Sequence, residues 1–436
     1  MARFLISTIS AVGHVNPALP IARKLVERGH EVWWYTGTGF QSKVEATGAR
    51  HIPIRKAIDL SSTKTVPEEL MEKRNSLKGL EQFKFDLKKF FIDPGVAQLE
   101  ELSEILQQFP ADVILSDLCF VGASWIHEKG GPPWATLNIS GLAISSNNTA
   151  PFGLGIAPDT SKIGLLRNIF LNWIFQRILL NNVTLYLDQI RGRVGLPPDY
   201  KYFFDATLSP FLYLQGTVPA FEYPRSDLPP QVHFIGPFLP DPPTNFTPPA
   251  WWDDLKSGKP VIHVTQGTVS TAADDLIIPT IQALADEDVL VVVTTGGEPI
   301  DSLKLDLVPA NVRIEPFIPH YHLLPYVDVM VTNGGYNGVQ VALANGVPMV
   351  AAGQTEEKPE VCARIEWAGV GINLKTKTPT PAQIKNAVNE ILAVSEYRQK
   401  AQLLKADISR YDAPTQAAIL LEKLAATKKP VLRIDK

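Results

Sequence analysis

The chain has little of several features that would place it in a specialised protein class. Only two cysteines, Cys119 and Cys362, occur in 436 residues, too few for a disulfide framework and without a metal-binding spacing. The formal net charge of −4 lacks the basic excess of most nucleic-acid binders. The N-terminus has no small-residue cleavage site of a secretory signal. We therefore expect a cytoplasmic protein that binds no nucleic acid.

Long hydrophobic runs are also missing. The nearest to one is at residues 163–182, where apolar side chains recur at helical spacing. Polar residues interrupt this run, which argues against a membrane-spanning helix: Arg167, Asn172, Gln176 and Arg177. The pattern favours a helix that packs on the protein or lines a pocket. A helix lying at a membrane surface is the alternative, so peripheral membrane contact stays open.

Strand-like and helix-like segments alternate along the chain. The alternation begins with residues 4–9, 18–28 and 31–35 and resumes at residue 261. Such alternation predicts parallel strands joined by crossover helices. The length of 436 residues exceeds that of one ordinary core. The fold class predicted is α/β, with two Rossmann-like, doubly wound parallel-sheet domains facing a cleft.

A proline-rich stretch divides the two halves. Repeated proline favours extended backbone and suits a semi-rigid linker. We place the first domain at residues 1–236, the linker at 237–260 and the second domain at 261–408. Residues 409–436 are predicted to include a helix that packs back across the junction. The prolines of the linker are Pro237, Pro240, Pro242, Pro243, Pro248, Pro249 and Pro260.

The turn Asn-Gly-Gly-Tyr-Asn-Gly at residues 333–338 is the most informative motif. It connects an apolar strand-like run, residues 327–331, to a helix-like run, residues 339–344. Glycines at the start of a helix leave backbone N–H groups uncovered at the positive end of the helix dipole, where phosphate binds well. The motif therefore predicts a diphosphate cradle.

A second motif follows the first strand-like segment. In Gly13-His14-Val15-Asn16-Pro17, we predict that His14 lies on a short loop, that Asn16 caps the next helix and that Pro17 opens it. Open parallel sheets bind ligands at the carboxyl ends of their strands. Both motifs follow strand ends, so we expect them to meet at one cleft.

Through these two motifs, together with Pro319-His320 and Gly346-Val347-Pro348, the chain resembles the nucleotide-sugar-dependent glycosyltransferases. The closer resemblance is to the inverting family that contains plant UDP-glycosyltransferases and bacterial macrolide and glycopeptide glycosyltransferases. The likeness covers nearly the whole chain in order and spacing. It implies the GT-B fold, with an acceptor-binding first domain and a nucleotide-sugar-binding second domain.

The resemblance implies two catalytic residues. His14 stands at the position of the family's general base, and an imidazole pKa of about 6.5 suits that role. Asp117 follows an apolar segment and stands where the family has the aspartate that orients this histidine. The alternatives are a histidine that only hydrogen-bonds backbone and an aspartate that only forms a turn or helix cap.

The donor-binding residues implied by the resemblance lie mostly in the second domain. Gly267 and Thr268 match a phosphate-binding loop, with an ordinary strand-to-helix turn as the alternative. Phe317 stands where an aromatic ring stacks on the base, with a core position as the alternative. The other implied donor-site residues are Gly13, Ile318, His320, Asn333, Gly334, Gly335, Asn337 and Gly338.

The chain departs from the family pattern at three places. Asn333 stands where many relatives have histidine. Val341 stands where a glutamate commonly binds the ribose hydroxyls, leaving Gln340 as a substitute. Glu357 and Lys358 stand near the sugar-reading Asp-Gln pair. These departures concern the identity of the nucleotide and the sugar.

The implied reaction transfers a sugar with inversion to a hydroxyl of a hydrophobic small-molecule or lipid acceptor. A UDP-sugar is the expected co-substrate, with dTDP- or GDP-sugars as alternatives, and neither cofactor nor metal is expected. The acceptor would contact aromatic side chains of the first domain, whose alternative role is core packing. Competing functions are a sugar-nucleotide epimerase and an inactive homologue that acts as a binding partner. The predicted acceptor residues are Phe85, Phe152 and Trp173.

Overall fold

The computed structural model describes residues 1–61, 66–240, 245–267, 272–305 and 307–433. Thr268, predicted for the phosphate loop, lies outside the described residues. Within them, the chain forms two parallel β-sheets, of seven and six strands, covered by helices. The predicted α/β class with two doubly wound domains is confirmed.

Seven parallel strands form the sheet of the first domain. They are β1 Arg3–Ser7, β2 Glu31–Thr36, β3 Arg50–Pro53, β4 Val113–Asp117, β5 Trp134–Asn138, β6 Leu212–Gln215 and β7 Val232–Phe234, in the spatial order β3-β2-β1-β4-β5-β6-β7. The helices are α1 Val12–Val15, α2 Leu19–Glu27, α3 Gln41–Glu45, α4 Glu68–Ser76, α5 Gly79–Asp86, α6 Gly95–Gln108, α7 Gly122–Glu128, α8 Lys162–Ile174, α9 Asn181–Arg193 and α10 Phe203–Ala206. The order reverses between β1 and β4, which makes that position a topological switch point.

The second domain repeats this plan with six parallel strands. They are β8 Val261–Thr265, β9 Leu290–Thr294, β10 Val312–Glu315, β11 Val329–Thr332, β12 Met349–Ala351 and β13 Gly371–Asn373, in the order β10-β9-β8-β11-β12-β13. The helices of this domain are α11 Ile277–Leu284, α12 His320–Leu323, α13 Tyr336–Asn345, α14 Lys358–Trp367, α15 Pro381–Ala393 and α16 Ser395–Ile408, and α17 Ala413–Thr427 follows them in the chain. Its switch point lies between β8 and β11.

The register of the strands aligns the carboxyl ends at both switch points. Ser7 of β1 lies opposite Ser116 of β4, and Thr265 of β8 lies opposite Thr332 of β11. All five residues of β4 and all five of β8 are buried, as expected for strands covered on both faces. Residues that follow each pair of strands therefore emerge side by side.

The segment around His14 differs from the sequence prediction. His14 lies in α1, a single helical turn, and not on a loop. Asn16 has helical backbone angles, φ −56° and ψ −41°, so it does not adopt the extended conformation of an N-cap. Its Oδ1 accepts a hydrogen bond from Lys43 Nζ at 3.3 Å. Pro17 lies inside the short 3₁₀ turn Asn16–Ala18 that connects α1 to α2.

The C-terminal helix α17 packs against α2 of the first domain, although it follows the second domain in sequence. Leu421 and Leu424 are buried in the first domain's core. Glu422 accepts two hydrogen bonds from the Arg28 guanidinium, at 2.6 and 2.8 Å. At the proline-rich stretch, Trp251 packs on the core of the second domain, so this stretch is only partly a free linker.

Candidate active site

His14 and Asp117 meet at the switch point of the first sheet. The ring Nδ1 of His14 lies 2.6 Å from Asp117 Oδ2. The Asp117 carboxylate is itself held by the backbone N–H of Ile9 at 3.2 Å and that of Cys119 at 2.7 Å. Asp117 is fully buried, whereas the His14 side chain keeps 22% of its surface exposed. The aspartate therefore fixes the ring and leaves the other nitrogen, Nε2, for chemistry.

The surroundings of His14 raise its pKa above 6.5. Burial alone lowers the pKa of the imidazole, because it disfavours the charged form. Coulombic attraction to Asp117 and the hydrogen bond that His14 Nδ1 donates to its carboxylate outweigh the burial, with smaller contributions from Glu357 and Glu356. The two glutamates belong to the second domain, so both lobes determine the basicity of this histidine.

The glycine turn lies at the switch point of the second sheet. Gly334 has φ +81°, and a Cβ there would lie 2.6 Å from Cys362 Sγ, so both backbone and packing require glycine. Gly335 has φ −61° and would meet nothing closer than 3.7 Å. Glycine at 335 therefore leaves open space beside the first turn of α13. The first N–H groups of a helix have no intrahelical acceptor, so they are available to a ligand there.

The side chain of Asn333, an implied donor-site residue, hydrogen-bonds the backbone of the two loops at the switch point. Its Nδ2 donates to the Gln266 carbonyl at 2.6 Å, and its Oδ1 accepts from the Gly335 N–H at 3.3 Å. These bonds connect the loop after β8 to the loop after β11. Asn333 thus shapes the glycine turn, and its place among the residues around the diphosphate stays a prediction.

A direct hydrogen bond joins the two motifs across the domain junction. Asn337 Nδ2, in the first turn of α13, donates to the Gly13 carbonyl at 3.2 Å. Gly13 immediately precedes His14, and Gly338 follows Asn337 in the open turn. Although 324 residues separate Gly13 from Asn337, the histidine turn and the glycine turn face one cleft.

The loop after β10 gives mixed results. Phe317 is 65% exposed, which excludes the core alternative and leaves its ring available for stacking. The side chain of Ile318 is buried in the second domain's core, so only the backbone of this residue is left for the predicted donor contact. Burial lowers the pKa of His320 to about 4. His320 is therefore neutral near pH 7 and supplies no positive charge to a phosphate.

Two of the residues predicted to bind the ribose and the sugar, Gln340 and Lys358, contact other side chains of the protein. Gln340 is buried and accepts a hydrogen bond from Thr217 Oγ1 of the first domain at 3.1 Å. Its side-chain oxygen thus makes a contact at the domain junction, and its role as a ribose ligand stays a prediction. Lys358 Nζ pairs with Glu356, so its charge is compensated. Glu357 remains near His14, and burial raises the pKa of its carboxyl.

Comparisons with known proteins show which family the chain belongs to. A family model described as the C-terminal domain of erythromycin biosynthesis protein CIII-like proteins matches residues 279–424. The chain is 47% identical to 4'-demethylrebeccamycin synthase of Lentzea aerocolonigenes, covering 97% of this chain and 99% of that protein. It is 34% identical to UDP-glycosyltransferase 2 of Phaeomoniella chlamydospora, covering 97% and 95%.

The chain belongs to the nucleotide-sugar-dependent glycosyltransferases. Its fold also matches a crystal structure titled as the glycotransferase of kitacinnamycin, with a TM-score of 0.74 over 97% of this chain and 98% of that one. At 21% sequence identity, that match concerns the fold alone. The chain is thus a GT-B glycosyltransferase that uses a nucleotide-sugar donor.

The aromatic residues predicted to bind the acceptor occupy three different environments. Phe85 packs edge-on against Phe90, which lines a cavity beneath the turn that carries His14. Phe152 lines a second cavity, at the domain junction, and packs on Phe204. Trp173 lines neither cavity and is 56% exposed on the outside of α8. The contact of Trp173 with the acceptor stays a prediction, and its ring lies on the outer surface of the glycosyltransferase.

An ion network at the domain junction of the glycosyltransferase had no sequence signal. Arg364 of α14 donates to Glu222 of the first domain at 2.5 and 2.8 Å and to Glu360 at 2.8 Å. Glu360 in turn accepts from the N–H groups of Gly153 and Gly155 at 3.0 and 2.7 Å. The network is buried, and no local pattern predicts a contact between residues 142 positions apart.

Proposed function

We propose that this glycosyltransferase transfers a sugar, with inversion, from a nucleoside diphosphate sugar to a hydroxyl of a hydrophobic acceptor, with His14 as general base. The hydrogen bond between Asn337 and Gly13 carries the proposal, since it brings the histidine turn against the anion-binding turn. A base and a leaving-group site on opposite sides of one cleft are the two elements that such a displacement needs.

The proposed reaction is a single displacement. His14 Nε2 takes the proton from the acceptor hydroxyl, while Asp117 accepts a hydrogen bond from Nδ1 and stabilises the imidazolium. The acceptor oxygen forms a bond to the anomeric carbon as the bond from that carbon to the diphosphate oxygen breaks. The electron pair leaves with the diphosphate, next to the N–H groups of the first turn of α13.

We propose that a UDP-sugar is the preferred donor and that no metal ion takes part. Support for a metal-independent leaving group comes from the open space at Gly335 and the unpaired N–H groups expected at a helix start. Phe317, exposed at the edge of the second domain, is the residue we propose to stack on the base.

We propose that the acceptor binds in the first domain, next to the histidine turn. A cavity there has mostly apolar walls, which include Ile58, Leu60, Phe90 and Phe120. Its lining reaches Ile9, whose N–H is bound by Asp117. The cavity itself is too small to enclose an acceptor, so we propose that the acceptor binds against its apolar walls, beside the catalytic pair.

The direct test is acceptor-dependent release of nucleoside diphosphate. We expect UDP-glucose with quercetin or 2-naphthol to give UDP and a β-glucoside, because a single displacement inverts the α-anomer. EDTA should leave the rate unchanged. Release of UDP at the same rate without acceptor, or an α-glucoside, would contradict the proposal. Carbazole, which offers only a ring N–H, tests the hydroxyl assignment, and exclusive use of it as acceptor would overturn that assignment. dTDP-glucose and GDP-glucose test the nucleotide assignment, and exclusive use of either as donor would overturn it.

The pH dependence gives an independent check on the base. His14 must be neutral to accept a proton, and its pKa is raised above 6.5, so kcat/KM should rise with pH through a midpoint above 6.5. In Asp117→Asn the carboxylate that stabilises the imidazolium is lost, and the midpoint should move to lower pH. Asp112→Asn removes a carboxylate before the other end of β4 and should leave the midpoint unchanged. An unmoved midpoint in Asp117→Asn would show that another group titrates.

A further inference from the structure

Helix α8 has its polar and apolar faces reversed. Asn168, fully buried, and Asn172 lie on its inner face, and Asn172 Nδ2 donates to the carbonyls of Ser146 and Thr149 at 3.0 and 2.9 Å. Large apolar side chains lie on the outer face with most of their surface in solvent: Ile163 79%, Leu166 67%, Phe170 59% and Trp173 56% exposed. A helix on a water-facing surface has the opposite arrangement.

The exposed apolar surface continues past the end of α8. The chain goes on through a π-helical turn, Phe175–Leu179, where Ile178 is 58% exposed. We call the side chains Ile163, Leu166, Ile169, Phe170, Trp173 and Ile178 the outer apolar face. Contiguous exposed apolar surface of this kind marks a contact with another apolar phase or partner.

The charged side chains within residues 160–187, the segment that carries the outer apolar face, are all basic. Residues 160–187 contain Lys162, Arg167 and Arg177 and no aspartate or glutamate. Asp159, immediately before them, partly offsets Arg167. A stripe of apolar side chains with basic neighbours, including a tryptophan, is typical of helices that lie in the plane of an anionic membrane surface.

We propose that the outer apolar face docks this protein on a membrane that contains anionic lipid. A second copy of the chain fits less well, because a twofold contact would bring the basic residues of both copies together without an acidic residue from 160–187. Among the described residues no single helix is long and apolar enough to cross a membrane. Only the bent pair Lys162–Leu179 and Asn181–Arg193, at 56°, passes on length and composition. The proposal is therefore one of lying on the surface, and it does not depend on the proposed reaction.

The inner face of the same segment connects this surface to the junction cavity. Asn172 and Gln176 bind the loop at residues 145–149, which contributes to the cavity wall. Phe175, buried on the inner side, lines the same cavity. Docking would thus place the first domain, and not the nucleotide-binding domain, next to the lipid.

The test is co-sedimentation of the full chain with phosphatidylcholine vesicles, with and without phosphatidylglycerol. We expect binding to the anionic vesicles, lowered about tenfold in L166S/F170S because membrane affinity scales with the apolar area buried. In K162Q/R177Q the affinity for anionic vesicles should fall about fivefold for each residue replaced, and the affinity for neutral vesicles should not change. The control is L403S, which removes a 71% exposed leucine from α16 and should bind as the wild type.

Trp173 supplies a second measurement because it is the most exposed of the eight tryptophans. Lipids with brominated acyl chains should quench wild-type fluorescence, and W173F should still sediment while losing most of that quenching. Three results would overturn the proposal: no binding to anionic vesicles, equal loss in L403S, or equal quenching in W173F. A wild-type dimer that L166S/F170S converts to monomer would also overturn it and assign the face to a second copy.

Discussion

Replacement of His14 by alanine is expected to lower kcat by about 10² to 10⁴-fold, the usual contribution of a positioned general base. Nucleoside diphosphate binding should stay close to that of the wild type, because the glycine turn and Phe317 are untouched. Steady-state kinetics with saturating donor and acceptor, together with the thermal shift produced by UDP, measure the two effects separately.

A matched control distinguishes a lost base from a damaged domain. His51 of β3 is partly buried, its ring Nε2 contacts the Gly37 carbonyl at 3.2 Å, and β2 separates its strand from β1, the strand that leads to His14. His51→Ala should therefore keep most of the activity. If His14→Ala retained wild-type turnover, or if it lost its UDP-induced shift as well, the assignment of the base would fail.

The coupling between His14 and Asp117 can be tested in the same assay. Asp117 is buried and contacts His14 at 2.6 Å, so its contribution to the rate should pass through the imidazole. The double variant H14A/D117N is then expected to be no slower than H14A alone, as for groups that act as one unit. A further large drop in the double variant would mean that Asp117 has a catalytic role of its own.

Much of this site can be predicted from the sequence, because each of its motifs is a short stretch of neighbouring residues. The alternation of strands and helices predicts two parallel sheets, and each motif follows a strand at a switch point. The structure brings His14, Asp117 and the glycine turn together at one cleft, and their roles stay predictions. The errors also have local causes. Asn16 resembles an N-cap in sequence, but the turn before it is already helical.

Other features depend on contacts that no local pattern encodes. The sequence does not predict the polar inner face of α8. In sequence its asparagines interrupt an apolar helix, whereas the fold turns them inward and exposes the apolar residues. The hydrogen bond between Gln340 and Thr217 joins residues 123 positions apart, so the sequence around Gln340 does not predict it. The ion network around Arg364 likewise joins residues that are far apart in the sequence.

Arg364→Ala is expected to destabilise the protein by about 3 to 5 kcal/mol, because it leaves two buried carboxylates without their counter-charge. Burial alone lowers the pKa of the Arg364 guanidinium, but Glu222, Glu360 and Tyr223 together raise it above its usual value. The guanidinium also lies over the Tyr223 ring, 4.1 Å from its centre. The loss should appear as a lower midpoint in urea, followed by tryptophan fluorescence.

The same substitution should separate the unfolding of the two domains. Glu222 belongs to the first domain and Arg364 to α14 of the second, so the network is one of the contacts that couple them. Without it, the urea transition should broaden or split, because two domains that unfold independently no longer behave as a two-state system. A single sharp transition at the wild-type midpoint would show that the network contributes little.

A compensated variant distinguishes the missing charge from the missing volume. In E222Q/R364M/E360Q the buried charges are removed together and the arginine volume is nearly kept. Replacing a whole buried network in this way often costs little, whereas removing one partner costs much. The triple variant should therefore be more stable than Arg364→Ala. If both lost the same stability, packing and not electrostatics would hold the domains together, and the buried ions would have to be explained by their effect on the loop at Gly153 and Gly155, whose N–H groups Glu360 binds.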